Sequence, residues 1–186
     1  FPLSRPYTIA FETTDAVENF IVRLGTDTGL LGLGAASPEA MVTGETVEAC
    51  AAALSPERLT WLDGRSLEDL GKLAEEVRRS LGATPAAQAA VDMALHDLEA
   101  RRAGVPLVER LGRRHHRLPT SITIGIMPLE ATLREATEYL ERGFRVLKLK
   151  LGSTPEEDVE RTLRLREHVG AAVRIRVDMN QACSGP

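Results

Sequence analysis

The feature that most constrains the fold is a regular alternation of strand-like and helix-like segments in residues 118–186. Apolar, β-branched runs alternate there with stretches whose apolar residues recur at helical spacing. The predicted order is a strand at 121–126, a helix at 129–142, a strand at 145–151, a helix at 155–169 and a strand at 173–178. Such alternation predicts parallel strands joined by right-handed helical crossovers, and both faces of a parallel sheet are normally covered.

The residues before this region have a different character. Strand-like runs predict an antiparallel meander over residues 7–11, 17–24 and 30–35. Helical patterns then predict helices over 43–54, 66–81 and from Pro85 to about Gly104, with Thr84 as an N-cap residue and Glu45 in the first turn of the first helix. A basic connection follows at 113–119. The sequence therefore predicts an α+β N-terminal domain over residues 1–113 and a second domain over residues 118–186.

Composition excludes several classes of partner. The formal net charge of −4 gives no electrostatic basis for binding nucleic acid or an anionic membrane surface. No apolar run approaches the roughly 20 residues that a membrane span requires, and no basic-then-apolar leader begins the sequence. Cys50 and Cys183 match no metal-binding spacing. We therefore expect a cytoplasmic protein that binds neither nucleic acid nor membrane.

The strand at 145–151 carries the strongest chemical signal. Alternation along the strand places three leucines on one face and both Lys148 and Lys150 on the other. Alone, this pattern is typical of a half-exposed strand with a solvated polar face. Between two crossover helices, however, the leucines are expected to face the helices and the lysines to face the interior of a barrel. Buried lysines are costly unless they are paired or neutral, and neighbouring ammonium groups lower each other's pKa. The context therefore predicts a general base, with Lys150 nearer the strand end where barrel enzymes place their chemistry.

A second signal lies at the end of the last predicted strand. Asp178 ends that strand, on the face opposite its apolar residues, and Asn180 follows two residues later. The pair is equally typical of a strand running into an Asp/Asn turn and of an oxygen ligand for a hard cation. One aspartate is not enough to hold Mg²⁺, so further ligands would be required.

Together, Lys148, Lys150, Asp178 and Asn180 resemble the enolase superfamily, specifically its muconate-lactonizing branch. In that branch a Lys-x-Lys pair ends the second barrel strand and an Asp-x-Asn segment ends the third. Three further segments resemble the dipeptide epimerases of that branch: residues 5–10, the loop at 38–46 and residues 143–148. The resemblance implies an N-terminal capping domain, built from an antiparallel meander and a helical bundle. A TIM-type (β/α) barrel follows it, represented here by about three strands.

The resemblance also implies a reaction and a cofactor. A Mg²⁺-stabilised enediolate would form by proton transfer at the α-carbon of a dipeptide's C-terminal residue. Lys150 would move the proton, Lys148 would assist it and bind the carboxylate, and Asp178 would bind Mg²⁺ with Asn180 supporting it. Thr123 matches a substrate-contacting position of the family. We also expect a small dipeptide substrate and a homo-oligomer.

Two positions depart from the family pattern. Glu12 stands where the Ala-Glu epimerases carry an arginine that pairs with the substrate's Glu side chain. A carboxylate there favours a cationic dipeptide, although Glu12 is equally compatible with a solvated loop residue. Cys183 stands where the family often has Trp.

Several alternatives remain open at this point. Other enzymes of the branch would share the lysines and Asp178: muconate cycloisomerase, o-succinylbenzoate synthase and N-acylamino acid racemase. A non-catalytic relic or assembly module is the alternative from outside enzymology. An eight-stranded barrel takes about 250 residues, whereas only about 70 follow the linker. We therefore expect this chain to be a fragment that is inactive alone.

Overall fold

The computed structural model describes residues 1–180 and residue 182, so Cys183 lies outside the described residues. The chain divides into two compact units. One comprises Phe1 with Glu18–Arg114, and the other comprises Pro2–Val17 with His115–Pro186. The N-terminal segment 2–17 thus groups in space with the second unit, whereas the sequence assigned it to a capping domain over 1–113. Among the described residues, no helix is both long and apolar enough to cross a membrane.

The predicted N-terminal meander is wrong in its topology, because the strands form two separate antiparallel hairpins. The first pairs β1 (Pro2–Ile9) with β2 (Glu12–Ala16), and the second pairs β3 (Phe20–Gly25) with β4 (Leu31–Ala36). The first hairpin belongs to the second unit and the other hairpin to the first unit. The turn predicted before β4 is present: Gly29 adopts φ +84° and its N–H donates to the carbonyl of Thr26 over 3.1 Å.

The first unit is built around one long central helix. Its helices are α1 (Ala40–Thr43), α2 (Val47–Ala53), α3 (Pro56–Leu59), α4 (Leu70–Leu81), α5 (Pro85–Arg102) and α6 (Leu107–Arg110). The predicted apolar stripe of α5 is confirmed, since it supplies buried residues to the core from Ala87 to Leu98. Short 3₁₀ turns lie at Thr60–Leu62 and at Leu67–Asp69, just before α4.

The prediction of one helix over 43–54 is wrong, because Gly44 ends α1 with φ +75° and α2 begins only at Val47. Glu45 lies between the two helices and is buried, 2% exposed. Thr84 is the N-cap residue of α5 as predicted, and its carbonyl accepts the N–H of Gln88, but its side chain does not cap the helix. Its hydroxyl donates to the carbonyl of Leu81, and the carboxylate of Glu45 instead accepts the N–H groups of Ala86 and Ala87 at the start of α5.

The predicted parallel strands of the second unit are confirmed. Its remaining elements are β5 (Ile122–Ile124), α7 (Leu129–Glu141), β6 (Val146–Lys150), α8 (Pro155–Val169) and β7 (Arg174–Asp178). The three strands form a parallel sheet in the order β5-β6-β7. Ile124, Leu147, Leu149 and Leu165 are fully buried in one core cluster, so the leucines of β6 face the apolar layer as predicted. The alternate residues of β6 must therefore point to the opposite face of the sheet.

Candidate active site

The register of the parallel sheet brings the predicted charged residues together. Lys150 is the β6 partner of Asp178 in β7, and Lys148 is the β6 partner of Thr123 in β5. All four side chains belong to the sheet face opposite the buried leucines. Residues that are 25 or more positions apart in the sequence are thereby placed side by side at the C-terminal ends of three parallel strands.

A single carboxylate oxygen joins the two lysines. The Nζ atom of Lys148 lies 2.7 Å from Oδ2 of Asp178, and the Nζ atom of Lys150 lies 2.8 Å from the same oxygen. The Lys150 side chain is almost fully enclosed, with 8% exposed, whereas that of Lys148 is 36% exposed. The cluster therefore has an inner amine shielded from water and an outer amine that a solute can reach.

Asn180 completes the polar end of β7. Its backbone N–H donates to Oδ1 of Asp178 over 3.1 Å, and its side-chain Oδ1 accepts a hydrogen bond from Nζ of Lys150. Asn180 adopts φ +45°, a left-handed conformation that asparagine tolerates better than most residues. This turn aims the amide oxygen back at the inner lysine, so Lys150 has two oxygen partners.

Charge pairing dominates the electrostatics of the cluster. The ammonium groups of Lys148 and Lys150, together with the N–H of Asn180, hold the pKa of the Asp178 carboxyl well below its usual range, against the smaller effect of burial. Asp178 is therefore an ionised acceptor throughout the physiological pH range, which is the state that an oxygen ligand of a metal ion requires. Within residues 1–180 and 182, no group of three or more His, Cys, Asp or Glu side chains is placed to hold a metal ion. Asp178 thus fits as one ligand of a Mg²⁺ site but does not form such a site within this part of the chain.

The first hairpin lies against this sheet within the second unit. The N–H of Ile126, just after β5, donates to the carbonyl of Thr8 over 2.9 Å. Just after β1, Ala10 is in close contact with Gly152, which follows Lys150 by two residues. Gly152 has φ +130°, and a side chain there would collide with Ala10, so glycine is required at this point. The hairpin turn is therefore located beside the strand end that carries Lys150.

Glu12 and Thr123, the two predicted substrate contacts, occupy different positions. Thr123 lies beside the lysines in the sheet, and its proximity to the Tyr7 phenol of the hairpin lowers the pKa of that phenol. Glu12 is exposed at the beginning of β2, directly opposite Ile9, and takes no part in the described hydrogen bonds of the lysine cluster. It begins a strand, not the loop that the sequence suggested.

Three residues near the site were not singled out from the sequence. Burial raises the pKa of the Tyr7 phenol; the positive charge of Lys148 opposes this rise, and the negative charge of Asp178 adds to it. Tyr7 is therefore a neighbour of the cluster, although 116 residues separate it from Thr123 and no sequence spacing indicates the contact. Asp158 and Arg161 are buried charged residues of α8. The available sequence signal for them was helical spacing, since Arg161 and the apolar Leu165 follow Asp158 by three and seven positions on one helix face.

Comparison with known families and structures gives several matches. Residues 1–112 match the family described as Mandelate racemase / muconate lactonizing enzyme, N-terminal domain, and residues 131–186 match Enolase C-terminal domain-like. The chain is 57% identical over 98% of its length to an L-Lys-D/L-Arg epimerase of Methylococcus capsulatus, and it covers 51% of that relative. It is 54% identical over 96% of its length to an L-Lys-D/L-Arg epimerase of Desulforapulum autotrophicum, again covering 51%.

A solved structure agrees with these sequence matches. The crystal structure of the Methylococcus capsulatus dipeptide epimerase, complexed with Mg and the dipeptide L-Arg-D-Lys, superposes with a TM-score of 0.95 at 57% identity. The superposition covers 98% of this chain and 51% of the crystallised chain. The chain therefore spans about half the length of the curated relatives that it matches.

Proposed function

This chain belongs to the mandelate racemase / muconate lactonizing enzyme family, and we propose that the protein containing it is a dipeptide epimerase. The reaction is a 1,1-proton transfer at the α-carbon of the C-terminal residue of a dipeptide. The observation that carries this proposal is the lysine–aspartate cluster, in which both Nζ atoms lie within 2.8 Å of Oδ2 of Asp178. The high identity to two L-Lys-D/L-Arg epimerases supports it.

Lys150 is assigned the proton transfer. Its neutral amine would accept the α-proton from one face of the substrate, and the electron pair of the broken C–H bond would move into the substrate carboxylate as an enediolate. A proton delivered to the opposite face by a second base, outside the described residues, would complete the inversion. The enclosure of the Lys150 side chain supports this role, because it limits proton exchange between the amine and bulk water.

Lys148 and Asp178 are assigned to the substrate carboxylate. The outer ammonium group of Lys148 is exposed enough to bind that carboxylate directly. When bound, Mg²⁺ would supply positive charge next to the developing enediolate. Asp178 would contribute one oxygen ligand to Mg²⁺. The backbone N–H of Asn180 would hold the Asp178 carboxylate in place. Thr123, beside Lys148 in the sheet, would contact the substrate.

The proposed substrate class is a dipeptide with a cationic side chain. The exposed carboxylate of Glu12 lies on the hairpin whose turn adjoins Gly152, and so it stands near the strand end that carries Lys150. A negative charge at this point favours a Lys or Arg side chain and repels an acidic one. The names of the two relatives, both L-Lys-D/L-Arg epimerases, support the same class.

The function is tested by α-proton exchange in D₂O with the full-length protein and L- and D-epimers of Arg- and Lys-containing dipeptides. The wild type should incorporate deuterium at the α-carbon and interconvert the epimers. Lys150→Ala should lose exchange of the epimer whose proton Lys150 removes. Lys72→Ala is the matched control, because Lys72 is an exposed lysine of α4 whose described ion pair lies on the surface.

A Lys150→Ala variant with unaltered exchange would identify a non-catalytic role for the cluster. Turnover of muconate, o-succinylbenzoate precursors or N-acylamino acids without dipeptide exchange would identify another enzyme of the branch.

The substrate class is tested by comparing kcat/KM for Arg-containing dipeptides and for Ala-Glu. We expect the cationic dipeptides to be faster, and faster turnover of Ala-Glu would refute the assignment. Glu12→Gln should lower kcat/KM for the cationic dipeptide by about tenfold, as expected for the loss of one charged contact. Asp15→Asn is the matched control, since Asp15 is an exposed acid of the same strand but belongs to its opposite face.

The proposal includes the expected location and assembly. We propose a cytoplasmic homo-oligomer. The net charge of −4 supports the further expectation that it binds neither nucleic acid nor an anionic membrane. Light scattering of the full-length protein measures its oligomeric state, and cell fractionation measures its location. The expected inactivity of this 186-residue chain alone is tested in the same exchange assay, where activity of the purified chain would refute it.

A further inference from the structure

Helix α8 carries a charged pair on its buried face, beneath the strand ends of the candidate site. Asp158 and Arg161 are 7% and 6% exposed, whereas Val159 and Leu163 on the same helix are 59% and 58% exposed. Burying charged side chains in preference to apolar ones is unfavourable unless the charges are used in specific contacts. The burial of this pair therefore indicates specific polar contacts that two apolar side chains could not make.

Arg161 spans the ends of two neighbouring strands. Its Nη1 donates to the carbonyl of Lys150 over 3.1 Å, and its Nη2 donates to the carbonyl of Gly125 over 3.0 Å. The β5–β6 ladder ends at the pair Ile124 and Leu149, so Gly125 and Lys150 are the next residues in register. The planar guanidinium thus links the two strands just where their ladder of paired residues has ended.

Asp158 holds the chain just after Lys150. Its Oδ2 accepts the N–H of Gly152 over 2.8 Å, while its Oδ1 lies 3.7 Å from Nη1 of Arg161. The pair therefore fixes the carbonyl of Lys150 and the N–H two residues later. Burial lowers the pKa of Arg161, and the charge of Asp158 opposes that change, so the two charges depend on each other in this site.

We propose that Asp158 and Arg161 are positioning residues for Lys150, a proposal that rests on the proposed epimerase function. By holding the backbone from the Lys150 carbonyl to the N–H of Gly152, they set the direction in which Nζ of Lys150 projects towards Asp178. Neither residue contacts the substrate side of the sheet, since both act on backbone groups from the helical layer. Their effect should fall on the proton transfer by Lys150 more than on substrate binding.

The first test replaces Arg161 with lysine in the full-length protein. Lysine keeps the positive charge but has one nitrogen, so it cannot span both carbonyls. We expect kcat to fall by about 10- to 100-fold with KM altered less than about threefold, as for a misplaced catalytic group. Arg164→Lys is the matched control, because Arg164 is 56% exposed on the same helix and, among the described residues, forms an ion pair with Glu167 alone. It should retain wild-type kinetics.

The second readout separates positioning from general loss of structure. In D₂O, Arg161→Lys and Asp158→Asn should slow α-proton exchange mainly for the epimer affected by Lys150→Ala. Wild-type exchange in both variants, or equal loss for both epimers, would overturn the proposal.

If the wild type exchanges no dipeptide, the proposed function is refuted. The positioning proposal is then tested separately by a crystal structure of Arg161→Lys. Displacement of Lys150 Nζ from Asp178 would support positioning. An unmoved Lys150 would contradict it.

Discussion

Replacing Glu45 with glutamine should destabilise the first unit by about 2–4 kcal/mol. The Glu45 carboxylate accepts the N–H of Ala86 over 2.5 Å and that of Ala87 over 3.2 Å, at the first turn of the 18-residue helix α5. A hydrogen bond to a charged group contributes about 1.5–3 kcal/mol, and a partly buried charge at a helix end up to about 2 kcal/mol. Glutamine removes the charge and turns a donor NH₂ group towards one of the two N–H groups, so part of both contributions is lost.

Thermal unfolding followed by circular dichroism measures this effect. For a chain of this size each kcal/mol corresponds to about 2–4 °C, so Tm should fall by about 4–16 °C. Hydrogen exchange at the amides of Ala86 and Ala87 should become faster. Glu75→Gln is the control, because Glu75 is an exposed acid within α4 of the same unit and gives the same change of charge. If Glu45→Gln unfolded within about 0.5 kcal/mol of this control, the capping account of α5 would be refuted.

Two further predictions follow from the pKa shifts. Because the pKa of Asp178 is lowered in the folded chain, its stabilising effect is present above the unfolded pKa of about 3.9 and is lost as the pH falls through the lower folded value. The difference in free energy of urea unfolding between wild type and Asp178→Asn, measured in EDTA, should therefore be constant from pH 6 to 8 and shrink below about pH 4. A difference that stayed constant down to pH 2 would contradict this prediction. Burial and the neighbouring Glu45 raise the pKa of the Cys50 thiol to about 12, so Cys50 should resist thiol reagents at pH 8 until the protein unfolds. The labelling is measured in a Cys183→Ser background, where rapid reaction of the native protein would refute the prediction.

Sequence periodicity predicted the second unit well because its information is local. The alternation in β6 separated the leucines from the lysines, and strand–helix alternation gave the parallel topology. That Lys150 and Asp178 share one site was implied by the family resemblance, because periodicity assigns a residue to a face of the sheet but does not set the register between strands. The register in the structure pairs the two residues.

The failures have the opposite origin. The strand β2, with the sequence Glu-Thr-Thr-Asp-Ala, lacks apolar alternation, so nothing local distinguished it from a loop. Its pairing with β1 depends on register and on packing against the parallel sheet of the same unit. The capping of α5 by Glu45 joins residues 41 positions apart, and the Arg161 contact with Gly125 joins residues 36 positions apart. Neither contact leaves a periodic signal, because each depends on where a buried charge finds backbone partners.

The central claim is that Lys150 moves the α-proton of a dipeptide while Asp178 helps to hold the Mg²⁺ ion beside the substrate carboxylate. A crystal structure of the full-length protein with Mg²⁺ and a cationic dipeptide tests it most directly. The account predicts Nζ of Lys150 within about 3.5 Å of the α-carbon of the C-terminal residue. It also predicts an Asp178 oxygen about 2.1 Å from Mg²⁺. A dipeptide bound elsewhere, with Lys150 still paired to a metal-free Asp178, would contradict the account.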